Sequence, residues 1–216
     1  MPVPPVGAAG AEAVAAPLPL QLVLTLPPLV AAPADARHLL AAAADLARLL
    51  QLPLQPLEAG GQPDQVLAAL TAVAEGWLAG PLLDPGRCLG AGTSWAQALG
   101  AWRQPTLLLI PADLLDTGLP AAGTALLQRW RVPLLGLLQL GGAWCPQRRR
   151  EEELPWLGHF GFAPTARTAS LASEAGTAVS PLEQGEAEQE LRARLRHAWM
   201  VTTRTCGWAE ARQATA

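Results

Sequence analysis

The segment from Pro105 to Gly142 constrains the fold more than any other part of the chain. It contains two short apolar runs, Thr106–Ile110 and Val132–Leu140, separated by a helix-like block from Ala121 to Trp130. Short apolar runs on both sides of one amphipathic block are typical of a β-α-β unit with buried parallel strands. The pattern therefore predicts two adjacent parallel strands that bury four leucines, namely Leu107, Leu109, Leu135 and Leu137.

Strand-like and helix-like segments alternate along the rest of the chain as well. Alternation of this kind predicts an α/β fold with an open, mostly parallel β-sheet, helices on both faces and a further C-terminal helix. Asp84-Pro85-Gly86 predicts a turn, and Thr93 or Ser94 is suited to cap the helix that follows. The predicted strands are Leu18–Leu26, Leu52–Leu57 (an edge strand, because prolines interrupt it), Ala79–Leu83, the two central runs and Leu154–Phe160, with further helices from Pro33, from Pro63 and from Glu186 to about Thr202.

Changes in composition divide the chain into four parts. Residues 1–17 are rich in Ala and Pro, and we expect a disordered leader there. Residues 18–162 carry the alternating pattern and are predicted to form the α/β domain. Residues 163–184 are rich in small and polar residues and predict a flexible linker, followed by a C-terminal helix and tail over residues 185–216.

Charge and residue usage argue against several classes of function. The net charge of −3 gives no attraction to nucleic acid, and prolines and charges interrupt every apolar run before it could form a membrane helix. The three cysteines lie far apart without metal-binding spacing, which favours a cytoplasmic protein with no metal site. All 15 basic residues are arginine, so no lysine is present to bind a phosphate or form a Schiff base.

A run of three arginines and three glutamates, Arg148–Glu153, follows the central unit. An anion-binding site is one interpretation of this run. The interpretation that we favour is a solvated helix with weak i,i+3 pairs such as Arg148 with Glu151.

Three segments together resemble the P-loop ATPases related to dethiobiotin synthetase, with the partitioning ATPases as wider kin. Leu22–Gly61 is similar to the family's first strand, loop, helix and second strand, and Pro105–Trp130 to its later strand and Gly-Thr-containing loop before a long helix. The third segment, VPLLGLLQLGG followed by ELPWLG, is similar to two further strands. The resemblance implies a P-loop NTPase-like, Rossmann-like three-layer sandwich that uses ATP and Mg²⁺ in an ATP-dependent ligase reaction of biotin biosynthesis.

The chain departs from this family at the phosphate-binding loop. The corresponding segment, Leu26–Ala34, contains neither glycine nor lysine, and Pro33 occupies about the position of the family's lysine. Backbone N–H groups and a lysine charge hold the phosphates in such loops, and the three prolines here remove donors. Arg37 lies one turn later and offers a charge of different geometry. The resemblance places the metal-binding carboxylate at Asp84 or, less well, at Glu75, and the base-recognising residue at Leu140, beside Gln139.

Two functions follow from these observations. The absence of glycine and lysine from this loop favours a non-catalytic binding or interaction module with no resident cofactor. Its partner would be an unidentified protein or small molecule. The chain could also form a homodimer. The alternative is an ATP-dependent enzyme of the dethiobiotin synthetase type with an altered site. In either case we expect a crevice at the carboxyl ends of the strands, lined by Thr25, Arg37, Asp84, Asp113, Asp116 and Thr117.

Overall fold

The computed structural model describes residues 19–27, 33–57, 61–89, 92–161 and 181–208, with only the backbone for residues 33–36 and 181–184. The leader (1–17), most of the predicted linker (163–180) and the loop residues 28–32 lie outside these ranges. In the described ranges the strands are β1 (Gln21–Thr25), β2 (Leu54–Gln55), β3 (Trp77–Leu82), β4 (Thr106–Pro111), β5 (Leu134–Leu140) and β6 (Trp156–Phe160). The helices are α1 (Pro33–Leu50), α2 (Pro63–Thr71), α3 (Trp95–Ala101), α4 (Leu119–Arg129), α5 (Pro146–Glu151) and α6 (Pro181–Thr205).

The described strands form one open sheet in the order β2-β3-β1-β4-β5-β6, and every neighbouring pair is parallel. The chain leaves β1 in one direction to reach β2, and from β2 onward it crosses the sheet in the opposite direction. Right-handed crossovers place helices on opposite faces when the direction of travel reverses. The α/β fold with helices on both faces of a parallel sheet is thus confirmed, and β2 is an edge strand as predicted.

Each face of the sheet carries its own hydrophobic core. On one face α1 and α6 pack against alternate residues of β1, with Leu22 and Leu24 at the centre. On the other face α2, α3 and α4 pack against Val23, Leu108 and Ile110. The prediction for the central unit is confirmed, because β4 and β5 pair in parallel and the four leucines are 0 to 6% exposed (Leu107, Leu109, Leu135 and Leu137).

Local signals set several of the element boundaries. Ser94, rather than Thr93, is the N-cap of α3, and its side chain accepts a hydrogen bond from the backbone N–H of Gln97. The last helix begins at Pro181, five residues before the predicted start at Glu186, and this position suits a proline because the first turn of a helix needs no N–H donor there.

The interpretation of Arg148–Glu153 as a fully solvated helix is wrong for one residue. Arg149 is only 5% exposed, and its guanidinium lies 5.0 Å from the ring centroid of Trp156. Glu152 accepts from Arg149 at 2.7 Å and from the indole N–H of Trp156 at 2.8 Å. The arginine stem and the indole bury apolar surface against each other, and the guanidinium contacts the indole ring. These contacts replace the hydration that the side chain would have on a solvated helix.

Candidate functional site

The carboxyl end of β1 is the switch point of this sheet. The helix that follows β1 packs on one face, whereas the helices that follow its neighbours, β3 and β4, pack on the other. In open α/β sheets, ligands bind outside the carboxyl ends of the strands, at the point where the helices that follow two neighbouring strands pack on opposite faces. The candidate site therefore comprises the residues that end β1, β3, β4 and β5.

Thr25 ends β1, and its hydroxyl serves the sheet. The residue is fully buried and its Oγ1 donates to the carbonyl of Leu82 at 3.2 Å, beside the bond from the Leu26 N–H to the same carbonyl at 3.0 Å. Both bonds hold β1 against β3 where the regular register is interrupted. Thr25 lies at the carboxyl end of its strand, but its hydroxyl hydrogen is already donated to a backbone carbonyl of the same chain.

Pro27 continues the chain beyond β1 and packs against α4. A Cβ atom added to Gly123 would lie 3.3 Å from the Cβ of Pro27 and 3.1 Å from a methyl of Leu108. Glycine at position 123 thus lets α4 approach the beginning of the β1–α1 loop closely. The base of that loop is filled by side-chain packing.

Asp84 follows β3, the strand that pairs with β1. It is half-buried and has a left-handed backbone with φ of +48°. Its carbonyl accepts from the N–H of Arg87 at 3.2 Å, which closes the predicted turn, and the next carbonyl, that of Pro85, accepts from the N–H of Ala96 in α3 at 2.8 Å. These bonds fix the position of Asp84, and its carboxylate could contribute one ligand to a metal ion.

The remaining predicted residues each have a separate local role. Asp113 is exposed on a 3₁₀ helix (Ala112–Leu114) that follows β4. Asp116 is exposed and forms an ion pair with Arg148 of α5. Thr117 donates to the carbonyl of Leu114 at 2.7 Å and accepts from the N–H of Leu119 at 3.2 Å, so its hydroxyl supports the start of α4. Arg37 is exposed on the second turn of α1.

Gln139 is a residue at this edge that sequence reasoning noted only as a neighbour of Leu140. Its side chain is fully buried near the end of β5, and its amide donates to the carbonyls of Gly141 at 2.8 Å and Ala143 at 3.1 Å. Its Oε1 has no hydrogen-bond partner among the described residues. A polar residue inside an otherwise apolar strand run was the signal in the sequence, because a buried amide must find internal partners.

The turn that Gln139 supports also depends on glycine. Gly142 has φ of +68°, and an added Cβ would lie 2.8 Å from the Cβ of Ala112. The loops after β4 and β5 are consequently in close contact, which narrows this part of the carboxyl edge.

An aromatic cluster lies on β6 and the loop after β5. The rings of Trp144 and His159 are stacked with centroids 5.6 Å apart, and Trp144 meets Trp156 edge-on at 6.3 Å. Partial burial lowers the pKa of His159 below its usual value of 6.5, which favours the neutral imidazole in this stack. The cluster was not predicted, because the three residues come from two elements that only the sheet brings together.

The predicted site residues do not form one cluster in the described part of the edge. No group of three or more His, Cys, Asp or Glu side chains could hold a metal ion within it. Asp84, Asp113 and Asp116 lie on separate turns, and none of the hydrogen bonds described links any two of the predicted side chains to each other.

In the described residues, no helix is long and apolar enough to cross a membrane. The chain matches no known protein-family model. A search of curated proteins likewise gives no match.

Proposed function

We propose that this protein is a non-catalytic binding or interaction module, built on a parallel sheet similar to that of dethiobiotin synthetase but without a working phosphate-binding loop. The observation that carries the proposal is the use of polar groups at the carboxyl edge for internal structure. The hydroxyls of Thr25 and Thr117 bond to backbone carbonyls, and Asp116 pairs with Arg148. A catalytic site would instead keep such groups free to face the substrate.

The beginning of the β1–α1 loop supports the same conclusion. Pro27 is buried and lacks an N–H, so it can donate no hydrogen bond to a phosphate. Arg37 is exposed, and an ion pair made by an exposed, solvent-screened charge contributes only about 0.2–1 kcal/mol. An energy of this size changes an affinity only a few-fold and does not replace a lysine in a glycine cradle.

The experiment that tests the proposal is calorimetric titration of the full chain with Mg·ATP. We expect a dissociation constant above about 1 mM. This corresponds to a binding free energy less favourable than about −4 kcal/mol. The Arg37→Ala variant should bind no differently, and Arg48→Ala, which removes another exposed arginine of the same helix, is the matched control. Micromolar binding that Arg37→Ala abolishes and Arg48→Ala leaves intact would overturn the proposal.

One observation favours the alternative of an ATP-dependent enzyme. Asp84 is half-buried at the end of β3, the strand directly beside β1, where the resemblance would put a magnesium ligand. This reading expects Mg·ATP binding that Asp84→Asn weakens at least about tenfold, because a carboxylate ligand is lost. Asp113→Asn, on the exposed 3₁₀ helix, serves as the control. Equal heats for both variants would leave Asp84 without a role in nucleotide binding.

A further inference from the structure

The outward face of α6 carries a straight strip of residues that the fold itself does not use. At about 100° per residue, Glu186, Ala193, His197 and Arg204 lie within about 20° of one line along the helix. The buried side chains of α6, Leu191, Leu195 and Trp199, lie on the opposite side and pack into the sheet core. The strip therefore points directly away from the domain.

The charge of α6 is divided between its two ends. The exposed Glu186 and Glu190 lie in the first half of the helix, whereas the exposed Arg196 and Arg204 lie in the second half. Glu190 is already paired with Arg194 on the same helix. Glu186 and Arg204 have no ion pair with any other described residue, and they are about five whole turns, or about 27 Å, apart on one line.

Large apolar side chains flank the basic end of the strip. Met200 is 44% exposed and Val201 is 48% exposed. Neither side chain belongs to the face of α6 that packs into the core. Near the middle of the strip stand the small Ala193 and, one turn later, His197. A small residue at the centre of a helix surface allows a second helix to approach closely.

We propose that α6 is a homodimer interface, in which the strip packs antiparallel against the same strip of a second copy of this chain. A two-fold axis near residue 195 would place Glu186 of each copy opposite Arg204 of the other, and His197 opposite Ala193. The same operation brings Met200 of each copy close to Glu190 of the other, where the glutamate's methylene groups cover it. Such an isologous contact uses one self-complementary patch twice.

The pairing follows from charge complementarity. A parallel arrangement would bring glutamate against glutamate and arginine against arginine, and like charges at an interface oppose association. The antiparallel arrangement forms two favourable pairs at once and covers the exposed Met200 and Val201. The inference goes beyond the proposed function, since it does not depend on whether the carboxyl edge of the sheet binds a nucleotide.

Sedimentation velocity of the full chain over a range of concentrations and at low salt tests the interface. We expect a monomer–dimer equilibrium that weakens as salt is added, because exposed charge pairs are screened. Glu186→Arg alone and Arg204→Glu alone should each weaken dimerisation at least about tenfold, because each reversal creates two like-charge contacts per dimer. Arg129→Glu reverses an exposed arginine in the last turn of α4 and should leave the equilibrium unchanged.

Mixing the two single variants provides the decisive measurement. Glu186→Arg with Arg204→Glu should restore a dimer as strong as that of the native chain, because every cross-contact then joins opposite charges. The double variant carrying both reversals should dimerise with itself for the same reason. A native chain that stays monomeric at all concentrations, or a dimer unaffected by either reversal, would overturn the proposal.

Discussion

The two ends of the sheet use their polar residues in different ways. At the amino end, a buried amide network ties three strands and α6 together. The carbonyl of Gln21 accepts from the amide of Gln104 at 3.2 Å and from the indole N–H of Trp199 at 3.4 Å. The amide of Gln21 itself donates to the carbonyls of Val73 and Glu75, both at 2.9 Å, at the turn before β3.

At the carboxyl end, the buried hydroxyl of Thr25 bonds across to the carbonyl of Leu82 on β3, but the other polar side-chain bonds described above stay within local turns or pair exposed groups. Asp84 is half-buried in a left-handed turn, and Thr117 bonds only within its own turn. Even Gln139, which is buried, bonds only to the loop that directly follows it. More polar side-chain bonds join distant parts of the chain at the amino end than at the described carboxyl end. We therefore expect substitutions at exposed or half-buried polar positions of the carboxyl end to cost less stability than substitutions in the buried network of the amino end.

The largest expected effect concerns the sheet that joins the two ends. Leu109→Ala should lower the free energy of unfolding by about 2–5 kcal/mol, because a fully buried leucine is replaced by a cavity. Urea denaturation measures the change, and Leu40→Ala, at a leucine that is 47% exposed, is the control. A midpoint equal to that of the native chain would mean that the sheet centre does not join the two ends into one unit.

A change at the amino end should have an intermediate effect. Gln104→Leu keeps similar volume at a position that is 1% exposed but removes the donor to the carbonyls of Gln21 and Pro105. Unsatisfied buried groups should lower the free energy of unfolding by about 1–3 kcal/mol. Gln128→Leu, on the exposed side of α4, should change it little in the same denaturation series. Equal effects of the two variants would contradict the structural role given to the amino end.

The smallest effect is expected at the carboxyl end. Asp84→Gly should leave the free energy of unfolding unchanged or raise it by at most about 1 kcal/mol, because glycine adopts a φ of +48° without strain. Asp84→Ala is the matched variant and should be the less stable of the two, since a Cβ is disfavoured in the left-handed region. Thermal denaturation of both variants distinguishes the effect of backbone strain on stability from the effect of losing the carboxylate. A clear loss of stability in Asp84→Gly would show that the carboxylate itself supports the fold and would weaken the contrast between the two ends.

Local patterns in the sequence were sufficient for the elements of the fold. The run from Leu107 to Ile110 is apolar throughout because β4 is covered on both faces, and the observed strand extends from Thr106 to Pro111. Pro63 and Ser94 marked helix starts correctly, because backbone donors at a helix N-terminus need either a capping acceptor or a residue without an N–H. The burial of Arg149 could not be predicted, since its aromatic partner belongs to the next strand and not to its own helix.

The candidate site was predictable only as a set of chain positions. Thr25 ends β1 and Asp84 lies two residues beyond the end of the neighbouring β3, as the order of elements indicated. Whether their polar atoms are free was beyond the sequence, because the partner of Thr25 is a carbonyl nearly sixty residues away. Hydrogen bonds over such separations depend on register, and the register between β1 and β3 shifts at this point.

By itself, the sequence determined the α/β class, the buried central strands and the absence of lysine, all of which depend on residue type and spacing along the chain. Only the tertiary structure decided the strand order, the hydrogen bonds that join Gln21, Gln104 and Trp199, and the part of the sheet against which α6 packs. The physical reason is one of range. Periodicity reports which side of an element is apolar, whereas long-range packing decides what covers that side and which polar groups then find partners.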